Sequence, residues 1–221
     1  MRSGSTLLKA LIAEADDVLN LPETNFQKQS VVDRILAQHE SETPPIKVLK
    51  KPCWYQETRT YPKLPNCDRL KVVALVRDVY DTVVSLRKMT FRFFAGIASP
   101  LVTSWLAKTY WSRVTQSLIE LANDNSELVR LVRYEDLVAN PIEETKALYQ
   151  FVGSQRTAGT KSYSAPDGYK WRWGSDDGSP NIRSLEVQPP REKIRDEKRI
   201  LRLMEQDDQI RTLRKKLGYV Q

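Results

Sequence analysis

Apolar positions recur with helical spacing from the start of the chain. Leu7, Leu8, Leu11, Ile12, Ala15, Val18 and Leu19 form a stripe that predicts one helix ending before Pro22. Val31, Val32, Ile35 and Leu36 predict a second helix over Gln27 to His39. Between the helical stripes lie short apolar runs, Ile46 to Leu49, Lys71 to Val76 and Leu128 to Val132. Runs of this length separated by helices are the pattern of a parallel sheet buried on both faces. The fold class is therefore α/β, a short parallel sheet flanked by helices in three layers.

Further boundaries carry capping signals. Asp78 caps a predicted helix running through Val84 to about Lys88. Ser99-Pro100 supplies a cap and an N1 proline for a helix lasting to about Asn123. Asn140-Pro141-Ile142-Glu143 resembles a capping box, and Gly153 suits the position just past that helix. Residues 154–190 lack periodicity and are rich in Gly, Ser, Pro and Trp, a composition that reads as functional or mobile. Two helices broken near Gln206 to Asp208 end the chain before Gly218.

Composition narrows the class. At 221 residues the chain reads as a single domain over 1–221. Two cysteines cannot staple a fold of this size, and one histidine, His39, cannot build a zinc site; a reducing compartment, the cytoplasm, is the expectation. His39 is expected to face solvent. No signal-peptide pattern opens the chain, and the longest uncharged stretch, Phe93 to Ala107, is 15 residues with Pro100 inside it. A bilayer span needs about 20, so no membrane span is expected. The net charge of +7 concentrates in residues 47–71 and 191–216. The second cluster mixes signs along a helical pattern and reads as a solvated face. The first suits an anionic small molecule or an acidic acceptor. Nucleic acid is not expected, because no helix-turn-helix, finger or aromatic RNA-binding signature accompanies it.

The candidate chemistry begins at Arg2-Ser3-Gly4-Ser5-Thr6-Leu7-Leu8. Small residues enter a helix directly, so backbone N–H groups and the positive end of the helix face any bound anion, with the Ser5 and Thr6 hydroxyls as further donors. The bland reading is an ordinary helix cap. The loop lacks the Gly-Lys-Ser/Thr ending of a P-loop kinase, which disfavours a magnesium nucleoside triphosphate. A P-loop-like loop normally follows a central strand, yet this one opens at residue 2. The first strand therefore reads as missing, with truncation as the expectation.

A second segment, Val72 to Val76 followed by Arg77-Asp78 and a helix carrying Ser85, resembles the 3′-phosphate-binding segment of sulfotransferases. The opening Arg-Ser-Gly-Ser-Thr-Leu-Leu resembles their 5′-phosphosulfate loop. Val132-Arg133-Tyr134-Glu135-Asp136-Leu137 through Gly153 is similar in order and spacing, and the ending Leu217-Gly218-Tyr219 is similar to that of the tyrosylprotein branch.

The resemblance implies a transferase that moves a sulfuryl group from 3′-phosphoadenosine 5′-phosphosulfate (PAPS) to an acceptor hydroxyl by in-line displacement, with no metal. Arg2, Ser3, Gly4, Ser5 and Thr6 would hold the 5′-phosphosulfate. Arg77 and Ser85 would hold the 3′-phosphate, for which a guanidinium offers two parallel charge-assisted hydrogen bonds. Tyr134 either contacts the nucleotide or is a half-buried ring at a strand end. Glu23, 21 residues after Arg2, matches the catalytic base of the tyrosylprotein and carbohydrate enzymes; its alternative is a loop carboxylate capping the next helix. Lys50, ahead of Lys51-Pro52, matches the lysine beside the sulfuryl group, and Lys51 is equally able to take that role. The family often has a basic residue one turn past the Ser85 position; here it is Met89, with Arg87 and Lys88 nearby. The alternative is a truncated or degenerate module that binds nucleotide without turnover, and a P-loop kinase is the weaker third reading.

Overall fold

A computed structural model describes residues 4–21, 29–50, 64, 66–93, 100–165, 180–189 and 195–220. The opening stripe folds as a helix over Ser5–Ile12 (α1) and then departs from it. Val18–Asn20 (β1) is a strand, so the helix predicted to reach Pro22 stops at Ile12. Ala15 and Val18 are still buried, at 2% and 6% exposure. Periodicity thus identified which residues are inside but not the backbone that carries them. Two tertiary contacts draw the chain out of the helix. The Asp17 carboxylate accepts from Ser154 Oγ at 2.6 Å and Gln155 N–H at 2.7 Å, and Lys9 Nζ donates to the Leu21 carbonyl.

Gln29–Gln38 (α2) leads to Ile46–Val48 (β2), which pairs with β1 in parallel, Val18 opposite Ile46. Val72–Val76 (β3) leads into Val79–Phe93 (α3), five residues longer than the sequence predicts. Asp78 begins that helix as expected: its carboxylate accepts the Val79 N–H at 2.7 Å. The next predicted helix has three parts, Pro100–Trp105 (α4), a π-helical segment Leu106–Trp111, and Ser112–Asp124 (α5). Val129–Arg133 (β4) pairs with β3 in parallel and in register, Val72 opposite Val129 through Val76 opposite Arg133.

Side chains of β3 alternate with period two. Val73 and Leu75 face α1 and the helices after β4, and Ala74 and Val76 face the α3–α5 side. This is the helix–sheet–helix layering expected from the sequence, with the parallel pairing seen as two two-stranded sheets among the described residues. Tyr134–Ala139 (α6) follows β4 without a break, a short helix the sequence reading did not separate. Pro141–Val152 (α7) has the expected N1 proline and ends at Gly153, but Asn140 makes no side-chain cap, so the capping box does not form. Tyr149, fully buried in α7, donates to the Leu11 carbonyl at 2.7 Å and ties α7 to α1; burial pushes its hydroxyl up to about 12.

Part of the aperiodic 154–190 stretch is pinned. Arg156 donates to the Glu14 carbonyl and stacks on Tyr149, and Ser162 bridges Glu186. Pro180–Arg183 (α8) lies within it. Lys198–Gln206 (α9) and Asp208–Lys216 (α10) break where the sequence places the break, with Asp207 accepting from Ile210 N–H. Ile200, Ile210 and Leu213 close the core over α3 and the π segment. The solvated-face reading of their charges fails at Arg214, only 8% exposed, whose Nε reaches Asp78 Oδ1 at 3.1 Å. His39 is part-exposed and pairs with Glu42 at 2.9 Å.

Candidate functional site

Gly4 precedes α1 at φ 95°, ψ 17°, and the helix's own first turn contains no acid. A helix N-terminus carries partial positive charge and unpaired N–H groups, which favour anions. Gly4 is required twice over. Its φ is one that L-residues disfavour, and a Cβ there would lie 2.4 Å from Tyr134 Cδ2. The same ring carries the Arg77 guanidinium, 4.4 Å from its centroid. The opening turn and the arginine that ends β3 therefore meet on one aromatic side chain. Arg2 and Ser3 lie outside the described residues, whereas Ser5 and Thr6 form the first turn of α1.

Arg77 is held along its backbone and its side chain. Its carbonyl accepts from Trp111 Nε1 at 2.8 Å and from Thr82 Oγ1 at 3.4 Å. The guanidinium, 14% exposed, lies 3.7 Å from Asp81. Ser85 is part-buried one turn beyond Asp81 on α3, so it shares the stripe that faces Arg77. Arg87, considered as a second cation for this stripe, instead pairs with Glu197 at 2.7 Å. The Trp111 contact had no sequence signal, since it depends on the π segment delivering the indole to the end of β3.

Asp78, 2% exposed, is enclosed by two arginines from the end of the chain, Arg214 at 3.1 Å and Arg195 at 3.3 Å. Removing one partner of such a buried pair costs about 3–5 kcal/mol, so these contacts fix the turn between Arg77 and α3.

Lys50 follows β2 and lies buried, its Nζ donating to Thr6 Oγ1 at 2.8 Å. A cation is thus placed against the first turn of α1. Lys51 and Glu23 lie outside the described residues. Lys9, also buried, holds the Leu21 carbonyl, two residues before Glu23. Among the described residues no group of three or more His, Cys, Asp or Glu is arranged to hold a metal. None of the helices there is long and apolar enough to cross a membrane.

Comparisons with known proteins bear on the fold that carries these residues. Residues 65–158 match the model of the Sulfotransferase family, a span containing Arg77, Ser85, Trp111 and Tyr134. That span is less than half of the chain. Its fold is similar to the sulfotransferase domain of the Synechococcus PCC 7002 olefin synthase, with TM-score 0.62 and 15% identity over 100% of this chain and 92% of that one. It is also similar to the sulfotransferase domain from the curacin biosynthetic pathway, with TM-score 0.56 and 17% identity over 99% and 95%. No curated protein matches. The matched segment contains Arg77, while Gly4, Thr6 and Lys50 lie before it.

Proposed function

We propose that this chain, as a single domain, transfers a sulfuryl group from PAPS to an acceptor hydroxyl. The observation that carries the reading is Tyr134, which joins the anion-directed turn at Gly4 to the Arg77 guanidinium. Two sites for negative charge thus share one wall, as a donor with phosphate at both its 3′ and 5′ positions requires. Arg77 and Ser85 take the 3′-phosphate. Gly4, Ser5 and Thr6, with Arg2 and Ser3, take the 5′-phosphosulfate. PAPS fits this donor set through its two anionic ends, and no metal is needed to neutralise them.

In the transfer, the acceptor oxygen forms a bond to sulfur as the bond from sulfur to the bridging phosphate oxygen breaks. The acceptor proton passes to Glu23. The electron pair of the broken bond stays on the 5′-phosphate of adenosine 3′,5′-bisphosphate. Lys50, already against Thr6, stabilises that developing charge. The acceptor's class is left open by these residues. One cysteine, Cys67, is a free thiol, which suits a reducing compartment such as the cytoplasm.

The test is donor binding and turnover in two variants. Arg77→Ala should weaken adenosine 3′,5′-bisphosphate far more than adenosine 5′-phosphosulfate, which lacks the 3′-phosphate; equal losses would remove Arg77 from that role. Glu23→Gln should bind the bisphosphate nearly as wild type and lose about 100-fold or more in turnover of labelled PAPS. Unchanged turnover would make another group the base.

A further inference from the structure

The residues on either side of Tyr134 grip the end of the chain. Arg133 Nη1 donates to the Leu217 carbonyl at 2.9 Å and the Gly218 carbonyl at 3.2 Å, and its guanidinium stacks 4.6 Å from the Tyr219 ring. Gly218 permits this reach: at φ 70°, a Cβ there would lie 3.0 Å from Arg133 Nη1. On the other side of Tyr134, Glu135 Oε2 accepts the Tyr219 hydroxyl at 2.7 Å. Burial first, and then the Glu135 carboxylate, push that hydroxyl well above its ordinary value, so it remains a donor at neutral pH. Glu135 Oε1 accepts the Asp78 N–H at 3.0 Å, the amide next to Arg77.

We propose that the Leu217-Gly218-Tyr219 turn is a positioning element for the 3′-phosphate site. It acts through Glu135 on the Asp78 amide and through Arg133 on the end of β4 that presents Tyr134. Tyr219 touches neither donor nor acceptor in this scheme. Its hydroxyl fixes one oxygen of Glu135 and leaves the other aimed at the backbone that carries Arg77. A carboxylate freed of Tyr219 turns toward water, and the Arg77–Asp78 peptide, held through its carbonyl by Trp111, loses the anchor on its N–H. The proposal rests on the donor reading above, in which Arg77 meets the 3′-phosphate.

The test compares the full chain with Tyr219→Phe and Glu135→Gln, titrated with adenosine 3′,5′-bisphosphate and with adenosine 5′-monophosphate. Tyr219→Phe removes a single oxygen and should weaken the bisphosphate about five-fold, while the monophosphate changes less than about two-fold. Glu135→Gln keeps an oxygen for the Asp78 N–H and should retain most of the preference for the bisphosphate. Equal losses for both ligands, or an unchanged bisphosphate affinity in Tyr219→Phe, overturn the positioning role. Arg77→Ala separates the two failures. If it abolishes the preference and Tyr219→Phe does not, the positioning element alone falls; if it leaves the preference intact, the donor reading falls and takes this inference with it.

Discussion

Lys50 Nζ and Thr6 Oγ1 lie 2.8 Å apart although 44 residues separate them in sequence. Both are buried, so the ammonium has given up much of its water, and the first turn of α1 supplies part of its replacement. A desolvated cation beside a helix N-terminus concentrates positive potential where the leaving phosphate is proposed to develop charge. Lys50→Met keeps the length of the side chain and removes the charge. Release of adenosine 3′,5′-bisphosphate from PAPS should slow about 100-fold or more in single-turnover measurements. Bisphosphate affinity should change much less. An unchanged rate would assign Lys50 to holding Thr6 alone.

Gly4→Ala tests the meeting of the opening turn with Tyr134. The added methyl group encounters the ring, and the backbone is held at a φ that alanine resists. Strain of this kind costs about 1–3 kcal/mol. A thermal unfolding midpoint lower by about 3–10 °C is expected, together with weaker bisphosphate binding. Adding Tyr134→Ala should recover part of the midpoint by removing the clash, but not the affinity, because the shared wall is then gone. Recovery of both would show that Tyr134 only fills space.

Much of this framework was legible locally. Val72 to Val76 is apolar on both faces because it lies between two helical layers, so the sequence marks it as a buried strand and marks Arg77 as its polar end. Asp78, the N1 proline at 141, and the break at Asp207 are signals of single turns, which depend on few neighbours. Val18 and Leu19 read as helix because their burial has helical spacing with α1; what makes them a strand is pairing with Ile46 to Val48. Arg214 read as a surface charge because its partner, Asp78, lies 136 residues away. The contacts of Trp111 and Tyr219 escaped for the same reason, since each reaches its partner, the Arg77 carbonyl or Glu135, across the fold. The segments proposed to bind the donor's two ends were visible, and the contacts that hold them were not.

Asp17 gives a pH-dependent check on the anchoring of residues 154–155 to the turn before β1. Burial raises its carboxyl, but the hydrogen bonds from Ser154 and Gln155 outweigh that and hold it below its ordinary value of 3.8. A carboxylate depressed on folding contributes stability that is fully present above its unfolded pKa and is lost as pH falls through the folded one. Asp17→Asn should therefore show a lower urea midpoint than wild type at pH 7. The gap should narrow as pH drops below about 3.8. A gap independent of pH would mean that the charge contributes nothing and only the shape of the side chain matters.

The widened turn at Leu106–Trp111 absorbs one residue more than a regular helix would hold along the same path. Because i→i+5 bonds take up that residue locally, α4 and α5 keep their phase on either side of it. Loss of one residue there would let the rod close into regular α-helix with Val114 and Ile119 still facing the core. Only the side chains within the turn, which ends at the indole that reaches the Arg77 carbonyl, would be re-aimed.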